Sequence, residues 1–151
     1  MNIFDSMQIS ASGLNSQRAV IRVVAENMAN AHTTRTAEGG PYLRKKAILS
    51  PSPVPSSPSS PFSLLLSPSM MGEEAMGVKV ADIVEDINGV KTVYDPSHPD
   101  SDETGLVSLP NVNLMEEMVS LLNASRAYEA NVTAFNAAKT MAMKALEIGK
   151  A

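Results

Sequence analysis

The acidic segment Asp100–Gly105 is the part of this sequence whose residue types come nearest to a recognisable chemical site. Its first, third and fifth residues offer oxygen ligands and its sixth is glycine, as in the first half of an EF-hand calcium loop. The twelfth position holds Asn111 in place of the bidentate glutamate, and Pro110 blocks the start of the exiting helix. The pattern therefore predicts an acidic turn, with a secreted calcium-binding module as an alternative.

Residue patterns for catalysis are absent from the rest of the sequence. His32 and His98 are the two histidines; each stands beside turn residues, and neither belongs to a helical acid-x-x-His motif. The chain has no cysteine, which excludes disulfides and thiolate catalysis, and it has no Gly-x-Ser-x-Gly elbow. We therefore expect no enzyme activity, no cofactor, and no catalytic, cofactor-binding or metal-binding residues.

Charge and hydropathy exclude further classes of function. The 151 residues carry a net charge of −4, with +3 in residues 1–50, −7 in 51–109 and zero in 110–151, so no basic patch favours nucleic acid. No run of about 18 apolar residues is present, and the first seventeen residues lack Lys and Arg. We expect no nucleic-acid partner, no direct membrane insertion and no cleavable signal peptide.

Residues 3–30 carry a heptad-like apolar stripe, which predicts a long amphipathic helix. Alternating spacings of three and four are the pattern of a coiled-coil seam. The members are Phe4, Met7, Ala11, Leu14, Ile21, Ala25 and Met28, with Arg18 completing the series. The helix should be about 28 residues long, and it should end where Asn30 to Thr34 replace good helix formers.

Residues 112–149 carry a second stripe of the same kind. Its members are Leu114, Met118, Leu121, Ser125, Tyr128, Val132, Phe135, Lys139, Ala142 and Leu146. Asn113 is expected to cap this helix and Gly149 to end it. A helix of about 36 residues is far longer than the globular average, which favours a coiled coil or a helical assembly.

Between the two helices the sequence predicts a small β-rich region. A turn at Glu38–Pro41 should lead into a strand over residues 42–49, where the charges of Arg44–Lys46 are typical of a solvated strand edge. Residues 77–94 predict a hairpin, because Asn88–Gly89 is a strong two-residue turn signal between apolar strands.

The predicted fold class is mainly α with a small β part. Long N- and C-terminal helices pack as a coiled-coil-like pair, with a short β-hairpin region in the middle. The expected domains are residues 1–32 with 110–151 as paired terminal helices, and 33–49 with 70–109 as the β-rich middle region. Residues 50–69, with six prolines and nine serines, should form a flexible loop. A cytosolic coiled-coil adaptor is a second alternative function for such a chain.

Several blocks, in order along about two-thirds of the chain, resemble the flagellar basal-body rod proteins. In the first half they are Ile9–Leu14, Gln17-Arg18, Asn27–Ala31, Thr33–Thr36 and Glu38–Tyr42. In the second half they are Val93–Asp100, Pro110–Asn113, Glu117-Met118, Ala124–Asn131, Phe135-Asn136 and Ala145–Gly149. The Gly-Gly-Pro-Tyr and Tyr-Asp-Pro-Ser-His-Pro-Asp pieces point to members of the proximal rod. The proline-rich stretch 51–69 departs from the pattern expected of the family.

The resemblance implies a structural subunit of the bacterial flagellar basal body. Such a subunit self-assembles through its terminal helices into the periplasmic drive shaft, which transmits torque for cell motility. The implied partners are other flagellar rod subunits, copies of the same chain, and the flagellar type III export apparatus. The two apolar stripes then provide the predicted contact surface between subunits. Its residues are Phe4, Met7, Leu14, Ile21, Met28, Leu114, Met118, Leu121, Tyr128, Val132, Phe135 and Leu146.

Overall fold

The computed structural model describes residues 3–54, 75–86 and 90–149. Its elements, in chain order, are α1 (Ile3–Ala29), β1 (Lys45–Pro53), β2 (Met76–Glu85), β3 (Val90–Tyr94), β4 (Leu106–Pro110) and α2 (Leu114–Ile148). Two long helices therefore flank four short strands in the sequence. The predicted class, mainly α with a small β part, is confirmed.

At the end of α1 and at the start of α2, an asparagine side chain forms a hydrogen bond with the helix backbone. After the last residue of α1, Asn30 Nδ2 donates to the carbonyl oxygen of Glu26 at 2.9 Å. Before α2, Asn113 Oδ1 accepts the N–H of Met115 at 3.1 Å, which satisfies one of the unpaired donors of the first turn. The predicted cap at Asn113 is confirmed, and α2 ends one residue before Gly149.

The strands form two separate two-stranded sheets, β1 with β2 and β3 with β4. β3 and β4 are antiparallel, with Val90 opposite Pro110 and Tyr94 opposite Leu106. The prediction that β3 returns along β2 as a hairpin is therefore wrong, because each of these strands pairs with a different partner. The predicted turn at Asn88–Gly89 lies outside the described residues.

The acidic segment closes the sheet of β3 and β4. The N–H of Asp95 donates to the carbonyl oxygen of Gly105 at 2.9 Å, and the N–H of Gly105 donates to that of Asp102 at 2.8 Å. Gly105 has a φ of 76°, a left-handed conformation that favours glycine. The glycine at the sixth position of the EF-hand-like pattern thus serves the turn that the sequence predicts.

The chain divides into two compact units. One comprises Met1–Gln17, Leu49–Val80 and Arg126–Ala151, and the other comprises Arg18–Ile48 and Ala81–Ser125. In the first unit, Val54 and Ala138 are buried apolar residues. The buried apolar residues of the second unit are Val23, Val24, Ala31, Tyr42, Val107 and Ala124.

The proline- and serine-rich stretch is partly a strand. β1 continues to Pro53, so residues 50–53 of the predicted loop belong to the β1–β2 sheet. The N–H of Val54 then donates to the carbonyl oxygen of Ala75 at 2.8 Å, extending the ladder beyond the strand end. Residues 55–69 of the predicted loop lie outside the described residues.

Candidate assembly surface

The face that α1 buries is made of small and polar residues as well as valine. Its buried positions are Ser10, Gly13, Ser16, Val23, Val24 and Asn27. The predicted stripe is displaced from most of them by one position, at Ala11, Leu14 and Met28 for example, and these residues are half-buried. The apolar stripe is therefore not the line that α1 buries within the chain.

The twelve residues predicted at the subunit contact all retain exposed surface in the single chain. Phe4, Leu114, Met118 and Leu146 are exposed, and the other eight are half-buried. The same holds for polar members of the stripes: Arg18 and Lys139 are exposed and Ser125 is half-buried. None of the twelve predicted contact residues is therefore fully buried within the chain.

A buried polar cluster in the second unit joins the end of α1 to the start of α2. We call its four side chains, Asn27, Tyr42, Arg44 and Glu117, the clasp. Asn27 is 1% exposed and makes four hydrogen bonds. Its Nδ2 donates to the carbonyl oxygen of Lys45 at 2.8 Å and to Glu117 Oε2 at 3.2 Å. Its Oδ1 accepts the N–H of Lys45 at 2.9 Å and the hydroxyl of Tyr42 at 3.0 Å.

Glu117 is the charged member of the clasp at the start of α2, and it is also 1% exposed. Its Oε1 accepts a hydrogen bond from Arg44 Nε at 2.7 Å and forms an ion pair with Arg44 Nη2 at 2.6 Å. Among the described residues, no buried side-chain nitrogen or oxygen lacks a partner. Because the carboxylate is paired on both oxygens, its burial is tolerated; removing one partner of such a pair costs about 3–5 kcal/mol.

The clasp corrects the interpretation of Arg44–Lys46 as a solvated strand edge. Arg44 is half-buried against Glu117, and Lys45 Nζ lies 3.9 Å from Glu26 Oε2 and 4.0 Å from Glu85 Oε1. That interpretation is wrong for Arg44, because its guanidinium satisfies a buried carboxylate. Lys46 is exposed as predicted.

Tyr42 responds electrostatically to the acidic groups around it. Burial raises the pKa of its hydroxyl above the ordinary value of 10.0, and the negative charges of Glu26, Glu85 and Glu117 raise it further. The hydroxyl therefore remains protonated at neutral pH, as it must to donate to Asn27 Oδ1. The raised pKa of Tyr42 therefore agrees with its role as a hydrogen-bond donor in the clasp.

In the first unit, α1 meets β2 through two serines one helical turn apart. Ser12 Oγ accepts the N–H of Val78 at 3.1 Å, and Ser16 Oγ donates to the carbonyl oxygen of Val78 at 3.1 Å. The preceding residue, Gly77, has no room for a side chain, since a Cβ there would lie 2.6 Å from Ser12 Oγ. Small residues thus allow the strand backbone to hydrogen-bond directly to the helix surface.

Also in the first unit, α1 approaches α2 at Gly13. A Cβ at this position would lie 2.8 Å from Oδ1 of Asn131, so glycine is required for the close approach. Asn131 is fixed in turn, because its Nδ2 donates to the carbonyl oxygen of Ala127 at 2.8 Å. Gly13 and Asn131 belong to two of the sequence blocks that carry the family resemblance.

The first turns of α2 present an apolar surface to solvent. We call Met115, Met118, Val119 and Leu122 the outer face of α2. They recur at helical spacing on one side of the helix, and Val119 and Leu122 are 56% and 60% exposed. In the first unit, the last turns of α2 likewise expose Met141, Met143, Leu146 and Ile148. A row of exposed apolar side chains at helical spacing is characteristic of a helix that packs against another molecule.

The remaining sequence candidates do not assemble into a reactive site. Within residues 3–54, 75–86 and 90–149, no three His, Asp or Glu side chains are grouped so as to hold a metal ion. Asp95, at the acidic turn, is engaged locally: it accepts the Ser97 hydroxyl at 2.6 Å and the Ser97 N–H at 3.1 Å, which lower the pKa of its carboxyl. No described helix is long and apolar enough to cross a membrane.

Comparison of the amino-acid sequence with known proteins identifies relatives that all belong to the flagellar basal-body rod. The family model described as "Flagellar basal body rod FlgEFG protein C-terminal" matches residues 103–148, which contain β4 and α2. The flagellar basal-body rod protein FlgC of Borreliella burgdorferi is 44% identical over 98% of both chains. That of Bacillus subtilis is 46% identical over 99% of this chain and 100% of its own. That of Escherichia coli O6:H1 is 36% identical over 99% of this chain and 98% of its own.

The helices, their exposed apolar faces and these matches define a structural subunit of the flagellar basal-body rod, and not an enzyme. The chain belongs to the FlgC family of flagellar basal-body rod proteins. Neither the calcium-binding module nor the cytosolic adaptor is supported by the matches.

Proposed function

We propose that this chain builds the proximal part of the rod through its terminal helices. The assembled rod spans the periplasm as a drive shaft and transmits torque for motility. The subunit reaches it through the flagellar type III export apparatus and contacts copies of itself and other rod subunits. Membership of the FlgC family and the exposed apolar faces of α2 support this proposal.

In this proposal, residues 1–32 and 110–151 form the axial core, with 33–49 and 70–109 as the β-rich middle region and 50–69 as a loop. Two contacts support a pairing of α1 with α2: Gly13 with Asn131, and Asn27 with Glu117. The first contact lies in the first unit and the second contact lies in the second unit, and each joins a residue of α1 to a residue of α2.

The outer face of α2 is the observation that carries the proposal. Burying a side chain such as Leu122 or Met115 on a neighbouring subunit contributes about 1.5–3 kcal/mol relative to leaving it in water. In a helical assembly the same contact repeats in every copy. The predicted contact residues Phe4, Leu114, Met118 and Leu146 share this exposure, and the eight half-buried stripe residues complete the proposed surface.

Replacing Leu122 with Asp tests the contact. Since Leu122 is 60% exposed, Leu122→Asp should alter the free energy of unfolding by less than about 1 kcal/mol, yet it places a carboxylate in the proposed contact. We expect export without rod assembly and a loss of motility, measured by swimming assays and electron microscopy of purified basal bodies. Leu146→Asp, at the other end of α2, should behave in the same way.

Asn123→Asp is the matched control for Leu122→Asp. Asn123 is the adjacent residue, is also exposed, and gains the same charge outside the apolar row. We expect Asn123→Asp cells to swim. Normal rods in Leu122→Asp and Leu146→Asp cells would show that these faces of α2 are not subunit contacts.

A further inference from the structure

The start of α2 buries a carboxylate on the same side of the helix as the buried Ala124, and it exposes an apolar row on the opposite side. Glu117 is 1% exposed, whereas Val119, two residues further on, is 56% exposed. Two residues along an α-helix turn the side chain through about 200°, so these two side chains lie on opposite sides of α2. The helix therefore directs a carboxylate inward and its apolar outer face outward.

The hydrophobic effect alone favours the opposite rotation of this segment. Rolling α2 about its axis would carry Met115, Val119 and Leu122 toward the interior in exchange for the half-buried Leu121 and the small Ala124, and it would return Glu117 to water. Both changes are favourable in themselves, because apolar surface leaves water and a buried charge regains its hydration. An interaction on the inner side must therefore hold the observed rotation.

The clasp supplies that interaction from a fixed part of the chain. Arg44 donates from Nε to Glu117 Oε1 and forms an ion pair with it, and Asn27 donates to Glu117 Oε2. Asn27 cannot follow a rolling helix, because its amide is already bonded to the backbone N–H and C=O of Lys45 and to the hydroxyl of Tyr42. The carboxylate is thus held by donors on two other segments of the same unit.

We propose that Glu117 is a positioning residue, whose pairing with Arg44 and Asn27 fixes the rotation of α2 so that the outer face is presented for docking onto a neighbouring rod subunit. The docking role rests on the proposed function, whereas the rotation is a property of the isolated chain. Buried polar pairs that fix a register in this way are known in coiled coils, where they reduce stability but select one arrangement.

The rotation can be measured by thiol labelling, because the chain has no cysteine of its own. Val119→Cys introduces a single thiol on the outer face, and its rate of reaction with a maleimide reports its exposure in the purified full chain. Arg44→Met then removes the guanidinium but keeps an aliphatic side chain. We expect labelling to slow by about tenfold, since the unpaired Glu117 turns to water and position 119 turns inward.

Two further variants separate rotation from general damage. Lys46→Met removes a positive charge two residues away, at an exposed position of β1, and should leave the labelling rate unchanged. Adding Glu117→Leu to Arg44→Met should restore the rate, because leucine at 117 belongs inside and returns α2 to its original rotation. Should circular dichroism show that Arg44→Met is unfolded, Glu117→Gln, which weakens the clasp without leaving a charge unpaired on α2, should also slow labelling.

Unchanged labelling of position 119 in every folded variant would overturn the proposal. Slow labelling with normal rods in Arg44→Met cells would uphold the positioning role and refute the outer face as a rod contact. Unchanged labelling in Arg44→Met, together with failed assembly in Leu122→Asp, would refute the positioning role and leave the proposed function in place.

Discussion

Substituting Asn27 with Ala should be among the most damaging single changes to the stability of this chain. The substitution deletes four hydrogen bonds at once and leaves buried partners behind: the hydroxyl of Tyr42, a carboxylate oxygen of Glu117, and the N–H and C=O of Lys45. A buried polar group left without a partner costs about 1–3 kcal/mol. Four such groups, partly relieved by water, give an expected loss of about 3–5 kcal/mol.

This loss is large on the scale of a whole domain, whose free energy of unfolding is typically about 5–15 kcal/mol. The measurement is equilibrium unfolding of the purified chain in urea, followed by circular dichroism. Asn30→Ala is the control, because it lies in the same sequence block but makes local bonds to Glu26 and Thr33. We expect Asn30→Ala to cost about 1 kcal/mol.

Comparing the free energies of unfolding of Asn27→Ala and Asn30→Ala tests whether the clasp stabilises the second unit. Asn27 lies in the last turn of α1 and Asn30 follows it, so alanine gains helix propensity, less than about 0.7 kcal/mol, chiefly at position 27, where it opposes the expected loss. A loss for Asn27→Ala no greater than that for Asn30→Ala would refute the argument that the clasp stabilises the second unit. Asn27→Asp provides a second check, because it preserves size but places a carboxylate within 3.2 Å of Glu117 Oε2, and it should also destabilise the chain.

Two more predictions concern a close contact and a titration. Gly77→Ala should destabilise the chain by about 1–3 kcal/mol in the same unfolding assay, because the added methyl group lies 2.6 Å from Ser12 Oγ; Gly149→Ala, with its nearest neighbours at 3.7 Å, should be tolerated. The Ser97 hydroxyl and N–H lower the pKa of Asp95 from its ordinary value of 3.8, so the folded state favours the carboxylate. Its stabilising contribution is therefore present above pH 3.8 and is lost as the pH falls through the lowered pKa. The difference in free energy of unfolding between wild type and Asp95→Asn should shrink over that range, and a difference that persists at still lower pH would contradict this assignment.

The helices could be predicted from the sequence almost to the residue. The stripe over residues 3–30 corresponds to Ile3–Ala29, and that over residues 112–149 corresponds to Leu114–Ile148. Long periodic segments give many independent observations of the same spacing, and Asn113 carries a local capping signal that does not depend on the rest of the fold.

The face that each helix buries could not be predicted from apolar spacing. In α1 the buried line includes Gly13, Ser16 and Asn27, whose burial depends on close approach and on hydrogen bonds with distant segments. Such positions contribute little apolar area, so a search for hydrophobic residues finds the neighbouring line instead. A signal was nevertheless present for Glu117, which stands at heptad spacing from Ala124 and Asn131.

Strand pairing was the other feature that local signals could not supply. The Asn88–Gly89 turn signal concerns neighbouring residues, whereas β3 pairs with β4 across the acidic turn. β4, at Leu106–Pro110, has five residues, of which Val107 and Pro110 are buried, and was not predicted as a strand. Its pairing depends on the positive φ of Gly105 and on the hydrogen bond from Asp95 to Gly105, which become apparent once the chain is folded.

The clasp also constrains the order in which the chain acquires its structure. Asn27 and Glu117 are 90 positions apart, and Arg44 and Glu117 are 73 apart. Closing a loop of that length costs on the order of 4 kcal/mol of chain entropy before any bond is gained. High contact order of this kind slows folding. An N-terminal portion lacking α2 has no acceptor for Arg44, because Glu117 lies in the last quarter of the chain. We therefore expect the buried pairing of Arg44 to be completed late in folding, after the C-terminal helix has been synthesised.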